Sequence, residues 1–316
     1  MLKLIGRRLL YLLPVMLAVS LLTFFVAALL PGDIASVLLG DQATPETLAA
    51  LRREMGLDQP LLVRYFIWLG HVLQGDFGRS FRTGQTVLAA VAERLPVSFE
   101  LLLFAQVIGL CVGVPLAIIC AVRQGSWFDR AMTGGAFGML SLPSFLSAIL
   151  LIWLLAVQWE LLPATGYTPF SEDPWDNVIG FILPALTLAL GEWPVIMRVL
   201  RSDMIATLQE DYINMARAKG LKRRRILLVH ALKPSSLTLV TVTGINIGRL
   251  IGGAVIVETI FALPGIGRLL VTAIYSRDLM MLQGVVLLVA CGFVMINFLV
   301  DLLYAALDPR IRHGRG

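Results

Sequence analysis

The stretch Asn214–Pro234, NMARAKGLKRRRILLVHALKP, holds seven Lys or Arg residues and no acid. Apolar segments long enough to cross a bilayer lie on both sides of it. A basic loop between two such segments belongs on the cytoplasmic face, where Lys and Arg are retained. Its spacing also gives it shape. Ile205, Leu208, Tyr212 and Met215 fall three, four and three apart, which predicts one apolar stripe on a helix over about 203–219. Ser202 or Asp203 is placed to cap its start. Gly220 suits the left-handed residue just past its end, and Arg217 and Lys219 stand in the last turn, where the helix dipole favours cations. A second helix begins near Lys222 and is expected to stop before Pro234, because proline disfavours helical backbone at the residue preceding it. The loop reads as helix, glycine hinge, helix. Its charges suit either anionic headgroups or a soluble partner.

The 316 residues are 58% hydrophobic and 15% charged, against roughly 45–50% and 25% in soluble domains. The chain is therefore an integral membrane protein. Its formal net charge of +5 follows from basic residues kept on one side of a bilayer and does not point to nucleic acid. Cys111, Cys120 and Cys291 lie in apolar runs, with neither disulfide nor zinc spacing. His71, His230 and His313 lie outside the spans, and no HExxH occurs. The four lysines, Lys3, Lys219, Lys222 and Lys233, are never followed by Ser or Thr. A P-loop needs that pair for phosphate and Mg²⁺, so ATP chemistry is expected on other chains, and no cofactor on this one.

A spanning helix takes roughly 20 mostly apolar residues. Six segments qualify, near 9–30, 97–122, 131–158, 178–199, 237–261 and 281–307. The first follows Lys3, Arg7 and Arg8 but is too long for a signal peptide and lacks a small-residue cleavage site, so it reads as a retained anchor. With both termini and the 200–236 loop on one side, that side carries about twice as many Lys and Arg as the other. Both termini are thus expected in the cytoplasm. The organisation expected is a tail and first span over 1–31, an external helical segment over 32–96, five spans over 97–307 and a tail over 308–316. In the external segment, Leu61, Leu62, Tyr65, Phe66, Leu69, Val72 and Leu73 form a helical stripe, and Gly75 and Gly78 mark a turn. Val87, Leu88, Val91 and Leu95 start another stripe, and Ile266, Leu269, Leu270, Ala273 and Ile274 predict a further short helix. These helices suit the bilayer interface or an external partner.

Small residues four apart allow helix backbones to approach closely. Gly244, Gly248 and Gly252 repeat at that spacing, as do Gly109 with Gly113 and Gly134 with Gly138. Polar residues within spans are costly and mark interhelical contacts or a hydrated path. Asn246, Arg249 and Glu258 are on the fifth span, Asn297 and Asp301 on the sixth, and Glu192 on the fourth. Asn246 and Asn297 come out at similar depth, Arg249 sits near mid-depth, and Arg268 or Arg277 is placed to pair with Glu258. With no His in the spans, an intramembrane enzyme is disfavoured. A stand-alone secondary transporter would call for coupling-ion sites and inverted repeats, and no convincing repeat is visible.

The basic loop resembles the cytoplasmic EAA loop of ABC-importer permeases. Ala216, Gly220, Ile226 and Pro234 fit that pattern, while Asn214 and Met215 depart from its Glu and Ala. DYINMARAKGL is similar to the peptide/nickel branch. So are GLDQPLLVRY, GDFGRS, ERLPVSFEL, GGAVIVETIFALPGIGRLL, RDLMMLQGVVLL and NFLVDLLYAALDPRIR, which together cover nearly the whole chain. The resemblance implies an all-α membrane protein with six transmembrane helices and the type I ABC importer permease fold, in a bacterial inner membrane. It implies pairing with a second homologous permease, two ABC ATPase subunits that carry ATP and Mg²⁺, and an external solute-binding protein. Tyr212, Asn214, Met215, Ala216, Arg217, Ala218, Lys219, Gly220 and Leu221 would form the ATPase-coupling loop. Substrates of the branch are di- and oligopeptides, with nickel, glutathione and opine-like solutes as alternatives.

Overall fold

Prolines and glycines, more than hydrophobic runs, set where these helices bend and where they touch. The computed structural model describes residues 2–29, 44–54, 56 and 58–307; the side chains of 2–11, 27–29, 51, 54, 249, 301 and 303–307 lie outside the description. Among the described residues every regular element is helical. The chain divides into two compact units, Met1–Pro96 with Arg268–Met295, and Val97–Gly267 with Ile296–Gly316.

The first unit holds α1 (Leu2–Leu29), α2 (Pro45–Glu54) and α3 (Leu61–Leu73). The predicted stripe on α3 is present, with buried Tyr65 at its centre. Tyr65 meets the Phe24 ring edge-on at 5.5 Å, and its hydroxyl shares a 2.8 Å hydrogen bond with Ser20 of α1. The opposite side of α3 exposes Leu62 and Phe66, so apolar residues flank its buried stripe, interrupted by Arg64 and His71. After α3, Gly75 and Gly78 take the left-handed backbone expected of the GDFGRS turn. The Ser80 hydroxyl donates to Asp278, which also accepts the Met281 N–H and so caps α11 (Leu279–Leu307).

The second unit contains most of α4 (Val87–Val122), then α5 (Trp127–Ser141), α6 (Ser144–Leu151), α7 (Pro174–Leu208), α8 (Asp211–Ala218) and α9 (Leu232–Ile260). The stripe beginning at Val87 and the second predicted span form one 36-residue helix that runs through Pro96. The predicted third span is not one rod. It is α5 followed by α6 and a π-helical extension, Ile152–Gln158, bent by 103° at the junction. Pro143 causes the bend: Leu142 before it is extended at φ −82°, ψ 123°, as a following proline requires. The predicted short helix is α10 (Ile266–Tyr275). Four described helices are long and apolar enough to cross a membrane, or five with the bent pair as one span.

α7 is the core of this unit. Asp173 caps it by accepting from the Trp175 and Asp176 N–H groups, and Pro174 occupies the first turn, where no donor is needed. From Asn177 to Arg201 every residue is buried or half-buried except Arg198. Two of the predicted glycine pairs then resolve differently. Gly109 and Gly113 bring α4 against α7: a Cβ on Gly113 would stand 2.8 Å from Ile196 and 3.0 Å from the Trp193 carbonyl. Gly134 and Gly138 face open space, as does Gly252, whereas a Cβ on Gly244 would overlap Val300. Gly113→Leu is therefore expected to destabilise the protein by about 1–3 kcal/mol through overpacking, read as a lower melting temperature in detergent. Gly138→Ala should leave melting almost unchanged.

Candidate coupling hairpin and polar sites

The helix predicted over 203–219 is broken. α7 continues to Leu208, Glu210 is extended at φ −69°, ψ 147°, and α8 starts afresh at Asp211 without a side-chain cap. Ser202 and Asp203 therefore lie inside α7, not at a helix start. The break also divides the predicted stripe. Ile205 and Leu208, at the end of α7, pack into a cluster with Ala121, Met204 and Ala231, while α8 turns Ile213 and Ala216 inward onto Ile226, with Leu208 and Leu221 around them. Ala216 is 7% exposed, Met215 59% and Tyr212 43%. Asn214, Arg217, Ala218, Lys219 and Gly220 are also exposed.

The end of α8 is the glycine hinge the sequence predicts. Gly220 has φ +74°; its N–H reaches the Arg217 carbonyl at 2.9 Å, and the Leu221 N–H reaches that of Ala216 at 3.2 Å. These are the two bonds of a Schellman cap, and Leu221 supplies the apolar contact that accompanies it.

The expected stop at Pro234 does not occur. A turn over Arg223–Arg225 and a π-helix over Ile226–Ala231 lead into α9, which passes through Pro234. Pro234 has no N–H for the His230 carbonyl four residues earlier, and its ring crowds that carbonyl. A π-turn widens the backbone where such a ring must fit. The Tyr212 hydroxyl takes up the displaced acceptor, donating to the His230 carbonyl at 3.1 Å. Burial, and then the charge of Glu210, hold this phenol above its ordinary range. It therefore remains a donor at neutral pH. Ser235 donates to the Ala231 carbonyl at 3.0 Å and shares a 3.1 Å bond with Thr207 of α7. A cleft of about 650 Å³ lies under the hairpin, lined in part by Gln124, Gln209, Arg217 and Arg223.

An ion pair between α5 and α7 lies close by. Arg201 Nε and Nη2 donate to the two Asp129 oxygens at 2.6 Å each. Asp129 also accepts the Gly125 N–H, and its own N–H is capped by Ser126. The aspartate side chain is 3% exposed and the arginine 24%. The partners are 72 residues apart, so no local pattern joins them. The Ser126–Asp129 spacing, a capping-box pattern, was the available signal for the start of α5.

Glu258 is fully buried. It accepts from the Ser98 hydroxyl at 2.6 Å, and Ser98 Oγ accepts the Ile266 N–H at 2.8 Å. Gly265 and Gly267 press on the carboxylate, leaving no room for a Cβ. Glu258 thus fastens the start of α10 to α4. Asn246 is buried, and its Nδ2 has no hydrogen-bond partner among the described residues. Asn297 is half-buried. Gly244 opposite Val300 sets these two asparagines near one level, but no hydrogen bond joins them among the described residues. The side chains of Arg249 and Asp301 lie outside the described residues. Gln106, a buried polar residue visible in the apolar run LFAQVIGL, is one the sequence reading passed over; both of its side-chain polar atoms lack partners among the described residues.

Residues 113–313 match the sequence model of the binding-protein-dependent transport system inner membrane component, and residues 1–102 that of the N-terminal part of such membrane components. The chain belongs to this permease family. A putative peptide transport system permease protein of Brucella abortus (strain 2308) is 44% identical over 313 residues, covering 99% of this chain and all of the relative. The dipeptide transport system permease protein DppB of Escherichia coli (strain K12) is 39% identical over 339 residues, covering both chains completely. Among solved structures, an inward-facing form of the MetNI methionine ABC transporter matches with a TM-score of 0.58 at 16% identity, over 69% of this chain and 96% of that one. That likeness is one of fold. Within this permease, Gly220→Val forces a branched residue into left-handed backbone at a cost of about 1–2 kcal/mol, and limited proteolysis should cut the hairpin sooner. Asp129→Asn should lower stability by about 3 kcal/mol by stranding Arg201. An Asp129→Leu/Arg201→Met double variant should recover most of it, as measured by thermal unfolding.

Proposed function

We propose that this permease forms half of the translocation path of an ATP-driven importer, carrying di- or oligopeptides delivered by an external binding protein. The other half is a second, related permease. Two ATPase subunits bind below and hold the ATP and Mg²⁺. Six spans cross a bacterial cytoplasmic membrane, with both termini and the 200–236 hairpin in the cytoplasm. The peptide substrate rests on the names of the relatives.

The observation that carries this reading is α8. It is a short helix fixed by packing on one side and exposing Tyr212 and Met215 on the other. Exposed apolar residues on a short, formally neutral helix of an otherwise basic hairpin suit a protein groove better than headgroups. ATP-driven closure of the ATPases would move α8, and α7 and α9 would follow through their bonds to it. The expected outcome is that Met215→Cys crosslinks to an engineered cysteine in an ATPase subunit, and that Met215→Glu reduces dipeptide uptake at least about tenfold, an apolar contact being replaced by a buried charge, with insertion intact. Uptake by this chain alone in proteoliposomes, without ATPase subunits, would sink the reading in favour of a secondary transporter.

A further inference from the structure

Resting on that reading of a peptide path, we infer that Arg198, held over the ring of Phe137, is a carboxylate-binding point on the path itself. Arg198 is the one exposed residue of α7 between Asn177 and Arg201. Its guanidinium carbon stands 5.7 Å from the Phe137 ring centroid, a cation–π distance. It makes no ion pair among the described residues. Arg201, one turn further on, has the carboxylate of Asp129; Arg198 has none.

Depth makes this placement informative. Trp127, 82% exposed at the first residue of α5, is the sort of residue found at a bilayer interface. Phe137 follows ten residues along the same helix, about 15 Å at 1.5 Å per residue. The Arg198 head thus reaches toward Phe137 and away from the interface, opposite to snorkelling. A cation at that depth faces a water-filled space or a protein partner.

The surrounding face agrees. α4 exposes Phe99, Leu103 and Val107, α6 exposes Ile149 and Leu150, and the π-helical extension exposes Trp153, as lipid contacts should. The face beside Arg198 instead presents bare backbone at Gly134 and Gly138 and the exposed Ser141, whose hydroxyl donates to the Phe137 carbonyl at 3.0 Å. A water-sized pocket of about 20 Å³ joins Thr133, Phe137, Pro194 and Arg198. The Thr133 hydroxyl there is buried and without a hydrogen-bond partner among the described residues. Such a face is built for water or polar solute.

The chemistry then selects the ligand. A guanidinium lying over a ring keeps its edge N–H groups free, and these match a carboxylate with two parallel bonds. The C-terminal carboxylate is the negative charge that peptides share whatever their side chains. One arginine on the path grips all of them equally, and weakly enough to release them.

The test uses the complete importer with its binding protein, in vesicles of phosphatidylcholine with or without phosphatidylglycerol. Uptake of radiolabelled alanyl-alanine should fall at least about tenfold in Arg198→Gln, partly recover in Arg198→Lys, and fall about twofold in Phe137→Leu, equally in both vesicle types. Millimolar alanyl-alanine should raise the melting temperature of the detergent-solubilised complex; its C-terminal amide should not, and Arg198→Gln should abolish the shift. Normal uptake by Arg198→Gln overturns the assignment. So does loss of the second permease from the purified variant, which makes Arg198 an interface residue, or a defect confined to phosphatidylglycerol vesicles, which makes it a headgroup site. Absence of alanyl-alanine uptake by the unaltered importer overturns the proposed function and the ligand of Arg198 together.

Discussion

A helix in hydrocarbon gains nothing from hiding apolar side chains, since lipid is as apolar as its neighbours. What holds α7 in its unit must therefore be close contact and polar bonding. The glycines at 109 and 113 supply the contact, letting the α4 backbone settle onto Ile196 and the Trp193 carbonyl. The Asp129–Arg201 pair supplies the bond at the end nearer the hairpin. With α7 fixed at both places, the positions of α8, the π-turn and Arg198 follow, because each is built on α7 or bonded to it.

The polar groups within the helices fall into two kinds. Glu258 is engaged: its carboxylate accepts from the Ser98 hydroxyl, which accepts the Ile266 N–H, and the flanking glycines leave little room to rearrange. Gln106 and Asn246 are buried with amide atoms lacking hydrogen-bond partners among the described residues. A satisfied buried network makes a rigid joint, whereas an unsatisfied buried amide is costly to keep. The first kind holds helices in register; the second marks where a permease keeps polarity that packing alone does not need.

Much of this was legible from the sequence because it is local. The apolar runs, the stripe on α3, the left-handed glycine at 220 and the short helix after Gly265 all follow from spacing and residue type. What was not legible is which proline breaks a helix. Pro143 bends the third span, while Pro96 and Pro234 sit within continuous helices. At Pro143 the preceding Leu142 turns extended, whereas at Pro234 the helix continues and the freed His230 carbonyl is taken up by a hydroxyl 18 residues away. The stripe through Ile205 and Met215 misled for a related reason: a turn at Gln209–Glu210 resets the helical phase, and periodicity cannot see a reset. The Asp129–Arg201 pair needed the fold to bring it together, and Arg198, inside the predicted fourth span, went unread.

The phenol of Tyr212 has a mechanical consequence. By bonding to the carbonyl that Pro234 cannot use, it makes α8 a strut between the end of one long helix and the beginning of the next. A force on that strut does not pull on α7 alone. It arrives at the same moment at the widened turn that leads into α9, so that two long helices are levered by one stroke.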